Sequence, residues 1–196
     1  MKNAFNVLGV AGSTRQGSYS TRAIKIALEH ANKHGAEVRL LELNRIVLPL
    51  YDPSAPASKE VEHAAEALAW ADAFILASPD YHGSVSGALK NFLDHFYEEF
   101  AGKMFGYIVA SHEKGLTVME QMRTAVRQCY GWSMPYGVSI NGPQDFTGQE
   151  TANARLSGRL RMMARDLVIY GRLVRDQFMS DFGSNEPDTF AAHYRP

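Results

Sequence analysis

The stretch GVAGSTRQGSYSTRAIKIALEH, residues 9–30, contains the end of one predicted element and the start of the next. The apolar run 5–11 has the composition of a buried strand, and it stops at Gly12. After Ser18, apolar side chains return at the spacing of a helix with one buried face, at Ile24, Ala27, Leu28 and Ala31. We therefore predict a strand, a turn rich in hydroxyl groups, and an amphipathic helix.

The same alternation continues along the chain. Further strand-like apolar runs lie at residues 38–43, 73–77, 104–110 and 134–140, and helical apolar spacing fills the intervals between them and after the last. Five strands that alternate with five helices predict an α/β fold, with a parallel sheet between two layers of helices. In such a sheet, ligands bind beyond the carboxyl ends of the strands, where the strand order reverses.

Composition narrows the class of protein. The 196 residues suit one domain, and we predict a domain over residues 1–176 followed by a tail over 177–196. The tail either packs on the domain or on a partner subunit, or it is a loosely ordered terminus. A net charge of −1 argues against a nucleic-acid partner, and no apolar run approaches the roughly 20 residues of a membrane span. The single cysteine, Cys129, excludes an internal disulfide. With no signal-peptide pattern at the N-terminus, these features predict a cytoplasmic protein.

The turn between the first strand and the first helix has the composition of a phosphate site. A helix N-terminus presents unpaired N–H groups, and Arg15 adds a guanidinium among several hydroxyls. Gly12 and Gly17 have the spacing of a nucleoside-triphosphate loop, but Ser18 stands where that loop requires lysine. The dinucleotide pattern G-x-G-x-x-G also fails. A cradle for one terminal phosphate, such as that of a mononucleotide, remains, with a plain helix cap as the alternative.

A second informative stretch, ASPDYHGSVSGALKNFLDHF, covers residues 77–96 after the third predicted strand. Pro79 ends the strand, and a loop leads to a helix that we predict to begin near Ser84. Such a loop can offer backbone amides to the edge of a ring and an aromatic wall to its face. Taken alone, it is more typical of a packed loop in which Ser84 caps the helix.

Together, GSTRQGSYS and SPDYHGSVSGALKNFLDHF resemble the NAD(P)H-dependent FMN reductase family, whose patterns are roughly G-S-x-R-x-x-S-x-[SN] and P-x-Y-[NH]-x-S-x-x-[GA]-x-L-K-N-x-x-D. The resemblance extends over residues 5–175. It implies a flavodoxin-like three-layer sandwich with a five-stranded parallel sheet of order 2-1-3-4-5. FMN would lie at the switch point between the first and third strands.

The resemblance also implies the cofactor-binding residues. The FMN phosphate would contact Ser13, Arg15, Ser18 and Ser20. The isoalloxazine and ribityl groups would contact Pro79, Asp80, Tyr81, His82, Gly83 and Ser84. A third loop, Ser111-His112-Glu113-Lys114-Gly115, is more charged than the family pattern, and we retain Ser111 and Gly115 as contacts. Lys114 is either a cation beside the flavin or a solvated charge.

The resemblance implies an FMN-dependent oxidoreductase. A hydride from NADPH or NADH would pass to the flavin and then to a small acceptor, such as free flavin, a quinone, an azo or nitro compound, or a metal oxyanion. Because this chemistry belongs to the cofactor, we assign no catalytic side chain and no metal. A homodimer or homotetramer is implied as well. The alternatives are a flavodoxin-type electron carrier with a protein partner, and a flavin-free module that uses the phosphate cradle.

Overall fold

Strands and helices alternate along the residues that the computed structural model describes, 4–147 and 151–195. In chain order they are β1 (Phe5–Ala11), α1 (Tyr19–Lys33), β2 (Ala36–Glu42), α2 (Lys59–Trp70), β3 (Ala73–Pro79), α3 (Gly87–His95), β4 (Met104–Ala110), α4 (Leu116–Gln128), β5 (Trp132–Ser133), β6 (Val138–Ile140), α5 (Gly142–Asp145), β7 (Phe146–Thr147), β8 (Thr151–Ala152) and α6 (Ala154–Phe182). Short 3₁₀ helices cover Glu98–Phe100 and Phe190–Tyr194.

The central sheet is parallel and has the order β2-β1-β3-β4-β5, with β6 also paired to β4. The order 2-1-3-4-5 that the resemblance implies is confirmed. From β1 the chain goes to β2 on one side and then crosses to β3 on the other. The loops after β1 and β3 therefore diverge and leave a crevice at the carboxyl edge, which is the switch point of the sheet.

The fifth strand differs from the prediction of one continuous strand over 134–140. It consists of two segments, because β5 pairs with the start of β4 and β6 with its end. Between them, Pro135 has no N–H to donate to a ladder. Gly137 packs closely against Met119 of α4, and a Cβ at position 137 would lie 2.7 Å from the Met119 sulfur. Close packing and the missing donor together interrupt the strand.

The sheet separates two apolar cores, and alternate residues of β1 supply both. Val7 and Ala11 pack with side chains of α1 and α6, whereas Leu8 and Val10 pack with those of α2, α3 and α4. This alternation is the two-residue period of a strand that is buried on both faces. The molecule is thus a three-layer sandwich, as predicted.

Helix α6 continues past residue 176, where we predicted the domain to end, and stops at Phe182. Residues 177–182 of the predicted tail therefore belong to this helix. The segment that follows packs on its own chain, because the Phe178 and Phe190 rings lie 6.1 Å apart. Arg195 donates hydrogen bonds to the carbonyl oxygens of Asp181 and Phe182. These contacts hold the last described residues against the domain.

Two features are absent from residues 4–147 and 151–195. None of the helices there has the length and hydropathy to cross a bilayer. No three His, Cys, Asp or Glu side chains within those ranges are grouped as metal ligands would be.

Candidate functional site

Ser18 begins helix α1 and organises the turn before it. Its Oγ accepts a hydrogen bond from the Thr21 amide at 3.2 Å and lies 3.1 Å from the Ser20 Oγ. Its carbonyl oxygen accepts from the Arg22 amide. Within the described ranges, the amides of Tyr19 and Ser20 have no acceptor, as expected for the first turn of a helix. Donors that the fold does not use therefore collect at this turn.

Gly12 joins the first loop to the second. Its N–H donates to the Ala77 carbonyl at 2.8 Å, and its carbonyl accepts from the Ser86 hydroxyl at 2.6 Å. A Cβ on Gly12 would lie 2.8 Å from the Leu89 Cβ, so glycine allows the two loops to approach.

The same serine is the N-cap of α3, which begins at Gly87 and not near Ser84 as predicted. Ser86 accepts from the Leu89 amide and is almost completely buried. We did not assign Ser86 a role from the sequence, because its partner Gly12 is far away along the chain.

The loop after β3 is a tight turn. Tyr81 and Ser84 exchange two backbone hydrogen bonds of 3.1 Å, and His82 and Gly83 between them both have positive φ, 58° and 74°. Positive φ is unfavourable for a side chain such as that of His82, so surrounding contacts must stabilise the turn. Asp80 does so, because its Oδ1 accepts from the Gly83 amide at 2.8 Å.

The second carboxylate oxygen of Asp80 connects this turn to the third loop. It accepts from the Ser111 hydroxyl at 2.9 Å. In that loop Gly115 has φ 60°, and a Cβ there would lie 2.5 Å from Val109 Cγ1. The loop therefore requires glycine at position 115, both for its backbone conformation and for space.

Gln121 on α4 stabilises the turn from the other side. Its Oε1 accepts from the Ser84 hydroxyl and the Val85 amide, both at 3.0 Å, and its Nε2 donates to the Gly83 carbonyl at 3.3 Å. We did not predict this role, because only the buried stripe of α4 is visible in the sequence. The available signal in the sequence was that Gln121 is a polar residue next to this buried stripe.

Most of the predicted site residues line one cavity of about 330 Å³, which we call the switch-point cavity. Its predicted lining residues are Ser13, Arg15, Ser18, Ser20, Pro79, Asp80, Tyr81 and Ser111. A larger, more open cavity of about 810 Å³, the outer cavity, adjoins it and is lined by His82, Gly83 and Gly115, among others. Among the described residues, Ser84 is in the lining of neither, and its hydroxyl donates to Gln121.

Seven lining residues of the switch-point cavity were not among the predicted contacts: Gly17, Tyr19, Arg22, Ala110, His112, Gly142 and Pro143. The Arg22 guanidinium carbon lies 5.1 Å from the centre of the Tyr19 ring and 5.9 Å from that of Phe146, so the two rings orient it. A Cβ on Gly142 would lie 2.0 Å from the Tyr19 ring.

The switch-point cavity fits a terminal phosphate. Two arginines near the N-terminus of α1 oppose the positive end of the helix dipole, and the first turn contains no acidic residue. A bound dianion removes that conflict. Hydroxyls, free amides and guanidinium groups are also the donor types that phosphate oxygens accept from.

The sequence profile of a known family, the NADPH-dependent FMN reductases, matches residues 5–144. The chain belongs to this family. FMN-dependent NADPH-azoreductases of Staphylococcus saprophyticus and Staphylococcus aureus are 28% and 29% identical to it over 188 residues, which cover 91% of the chain and 95% of each relative.

Solved structures agree on the fold of this FMN reductase. A flavoenzyme NAD(P)H:(acceptor) oxidoreductase from Paracoccus denitrificans matches with a TM-score of 0.72 at 17% identity, covering 87% of this chain and 98% of that one. An NADH:FMN oxidoreductase in its apo form matches with 0.67 at 18% identity, covering 95% and 94%. The flavodoxin-like fold is therefore confirmed.

The predicted activity is confirmed at the level of its class. The chain is an enzyme, an FMN-dependent oxidoreductase with NAD(P)H as its reductant. The flavodoxin-type carrier is the less supported alternative, because the curated relatives are reductases.

Proposed function

We propose that FMN binds in the switch-point cavity and that the enzyme uses it to reduce azo compounds with NADPH. The main observation behind this proposal is that one cavity is lined both by the turn after β1, with its hydroxyls and arginine, and by the loop after β3. These are the phosphate-binding and ring-binding segments that the sequence predicts. Bound FMN supplies the hydride acceptor and the electron donor, and the chain supplies binding and orientation.

The proposed phosphate contacts are the hydroxyls of Ser13, Ser18 and Ser20 with the guanidinium of Arg15. Ser13 and Ser20 are buried, so a hydrogen bond to the phosphate would replace lost contacts with water. Arg22 adds a second positive charge at the same cavity.

The proposed ring contacts are Pro79, Asp80, Tyr81, His82, Gly83 and Ser84 in the second loop, with Ser111 and Gly115 in the third. Asp80 and Gln121 hold the second loop through five hydrogen bonds. A loop fixed in this way does not have to be ordered when the cofactor binds, and this lowers the cost of binding. Because the Ser84 hydroxyl donates to Gln121, we propose that Ser84 contacts the flavin through its backbone.

The azo acceptor is supported by the names of the curated relatives and by the shape of the site. The outer cavity is open and is lined by the exposed Leu116, and the half-exposed Tyr81 lines the adjoining switch-point cavity, so both side chains offer apolar contact. An open cavity lets a nicotinamide and a planar acceptor visit the same flavin face in turn.

The test is reconstitution followed by turnover. Folded protein titrated with FMN should bind about one FMN per chain, and NADPH should then drive decolourisation of an azo dye such as methyl red. No FMN binding at micromolar concentration by protein of verified fold would contradict the proposed site. Flavin reduction by NADPH without dye decolourisation would contradict only the azo acceptor and would leave the other acceptors to be tested.

A homodimer or homotetramer is part of the proposal. Met162, Ile169 and Leu173 are large apolar side chains that are exposed at helical spacing on α6. Light scattering should give a mass of two or four chains, and Ile169→Glu with Leu173→Glu should lower it if this face is buried between subunits. A monomeric wild type would contradict the proposal.

We also propose a cytoplasmic location, because the reductant NADPH is a cytoplasmic metabolite. Fractionation with an antibody against the chain tests this, and recovery with the membranes or outside the cell would contradict it.

A further inference from the structure

A third cavity of about 520 Å³ lies at the same edge of the sheet, and we call it the basic cavity. Three cationic side chains, Lys114, Arg155 and Arg159, line it together with the start of α6 and the end of β6. It shares His112, Glu113, Lys114 and Leu116 with the outer cavity, which in turn shares Asp80, Ser111 and His112 with the switch-point cavity. The three cavities therefore form one continuous strip along the third loop.

The cations of the basic cavity are available to a ligand. Within residues 4–147 and 151–195, neither Lys114 nor Arg155 has a carboxylate oxygen within 4.0 Å. Arg159 uses one nitrogen to donate to the Gly137 carbonyl at 2.9 Å.

Two acidic residues also line the basic cavity, Glu113 and Asp145. The Asp145 oxygens already accept hydrogen bonds, from the Asn141 amide at 2.8 Å and from Asn153 Nδ2 at 3.1 Å. Three cations and two carboxylates give the lining a net charge of +1. Among the described residues, Lys114 and Arg155 are the two of these cations that form neither an ion pair nor a side-chain hydrogen bond.

The loop that presents Lys114 is fixed in place. The Ser139 hydroxyl donates to the Lys114 carbonyl, and Asn141 Nδ2 donates to the His112 carbonyl at 3.0 Å. Both partners belong to β6 or to the residue after it. The positions of the basic cavity and the outer cavity are therefore set by the same strand end.

We propose that the basic cavity binds the phosphates of the nicotinamide dinucleotide. The inference rests on the proposed function, which places FMN in the switch-point cavity and thereby occupies Arg15 and Arg22. A dinucleotide whose nicotinamide reaches the flavin carries its negative phosphates away from the ring. Beyond the switch-point cavity, the strip contains two cations without a carboxylate partner among the described residues: Lys114, which the outer and basic cavities share, and Arg155, which lines the basic cavity. A phosphate group is the anion that best matches an arginine fork beside an ammonium group.

The experiment measures binding of oxidised NADP⁺ and NAD⁺, which do not reduce the flavin, by calorimetry on the FMN-loaded enzyme. The variants are Lys114→Ala, Arg155→Ala and the double variant. Arg159 is left intact because its hydrogen bond to Gly137 supports the fold. The matched control is Arg161→Ala, which removes the same charge from an exposed position two residues further along α6. The dissociation constant of FMN is measured on every variant to verify the site.

The double variant should bind NADP⁺ about 10-fold more weakly, with a smaller salt dependence than the wild type, while Arg161→Ala should bind it normally. If the double variant loses affinity for NADP⁺ but not for NAD⁺, the cavity binds the 2′-phosphate. If it loses affinity equally for both nucleotides, the cavity binds the pyrophosphate. Either result supports the proposal. If NADP⁺ binding is too weak for calorimetry, the NADPH concentration that half-saturates flavin reduction in a stopped-flow instrument replaces it.

Two outcomes would overturn the inference: unchanged nucleotide affinity in the double variant, or an equal loss of nucleotide affinity in Arg161→Ala. The failure of the proposed function is distinguishable from these. In that case the wild type itself would fail to bind FMN or would not be reduced by NADPH.

Discussion

At the scale of single residues, the main feature of the switch-point cavity is positive charge at a helix N-terminus, where the helix dipole disfavours it. Arg15 precedes α1 and Arg22 lies in its first turns, and both line the cavity. Each would be repelled by the helix dipole without an anion between them. This arrangement is therefore typical of a site that is stabilised by a bound phosphate.

Arg15→Ala should weaken FMN much more than riboflavin, because riboflavin has no phosphate. One charge-assisted hydrogen bond contributes about 1.5–3 kcal/mol, which corresponds to a loss of roughly 10- to 150-fold in FMN affinity. Fluorescence titration with both flavins measures this, and Lys25→Ala on the exposed side of α1 is the control. Equal weakening of the two flavins would show that Arg15 does not contact the phosphate.

Gln121→Leu should weaken both FMN and riboflavin, by roughly 10-fold, because three hydrogen bonds that hold the second loop are lost. Gln121→Glu keeps an acceptor for the Ser84 hydroxyl and the Val85 amide, so it should retain most of the affinity. The same flavin titration compares the two variants. If Gln121→Leu bound both flavins like the wild type, the loop would not need this support.

At the scale of elements, helix ends are stabilised by side chains from distant parts of the chain. Lys103, just before β4, donates from its Nζ to the Leu68 carbonyl in the last turn of α2, at 2.8 Å. Its ammonium group also lies 5.6 Å from the centre of the Phe74 ring. Burial here disfavours the charged form and lowers the pKa of Lys103 to about 8.

This lysine should make stability depend on pH. Between about pH 8 and the higher pKa of an unfolded lysine, the unfolded chain binds more protons than the folded one, so the free energy of unfolding should increase with pH. The contribution is at most about 1.4 kcal/mol per pH unit. Urea unfolding at pH 7.5, 8.5 and 9.5 should show this increase for the wild type but not for Lys103→Met. Parallel pH profiles would contradict the assignment.

At the scale of the whole molecule, low net charge and an open site distinguish a reductase from an electron carrier. A carrier that docks to protein partners commonly uses a strongly charged surface to steer the encounter, whereas this chain has a net charge of −1. The outer cavity is open beside the switch-point cavity, and hydride transfer requires reacting atoms within about 3–3.5 Å. Both features favour small-molecule substrates.

NADPH or NADH alone should therefore bleach the flavin absorption of the FMN-loaded enzyme within seconds, and steady-state kinetics with a small acceptor should be ping-pong. Anaerobic stopped-flow spectroscopy and initial-rate measurements test the two statements, with dithionite as the control that the flavin can be reduced. Reduction by dithionite but by neither nicotinamide would favour the electron carrier.

The local parts of the fold were readable from the sequence because their causes are local. Strands β1 and β4 have the predicted bounds, since an apolar run has to be buried wherever it lies. The turn from Ser13 to Ser20 was recognisable because a cap, two glycines and an arginine lie within a few residues of one another.

Only the tertiary structure decided which distant groups meet. Ser86 binds Gly12, Gln121 holds the turn at Gly83, and Phe146 packs against Arg22, each across a long separation in the chain. A periodic pattern records which face of an element is buried but not which element covers it. The split fifth strand has the same origin, because the close contact of Gly137 with Met119 exists only after α4 has packed on the sheet. The sequence by itself therefore determined the alternation of strands and helices and the residue types of the candidate site, because these depend on local patterns. Packing determined the division of the fifth strand and the contacts that support the site, because these depend on residues that are distant in the chain.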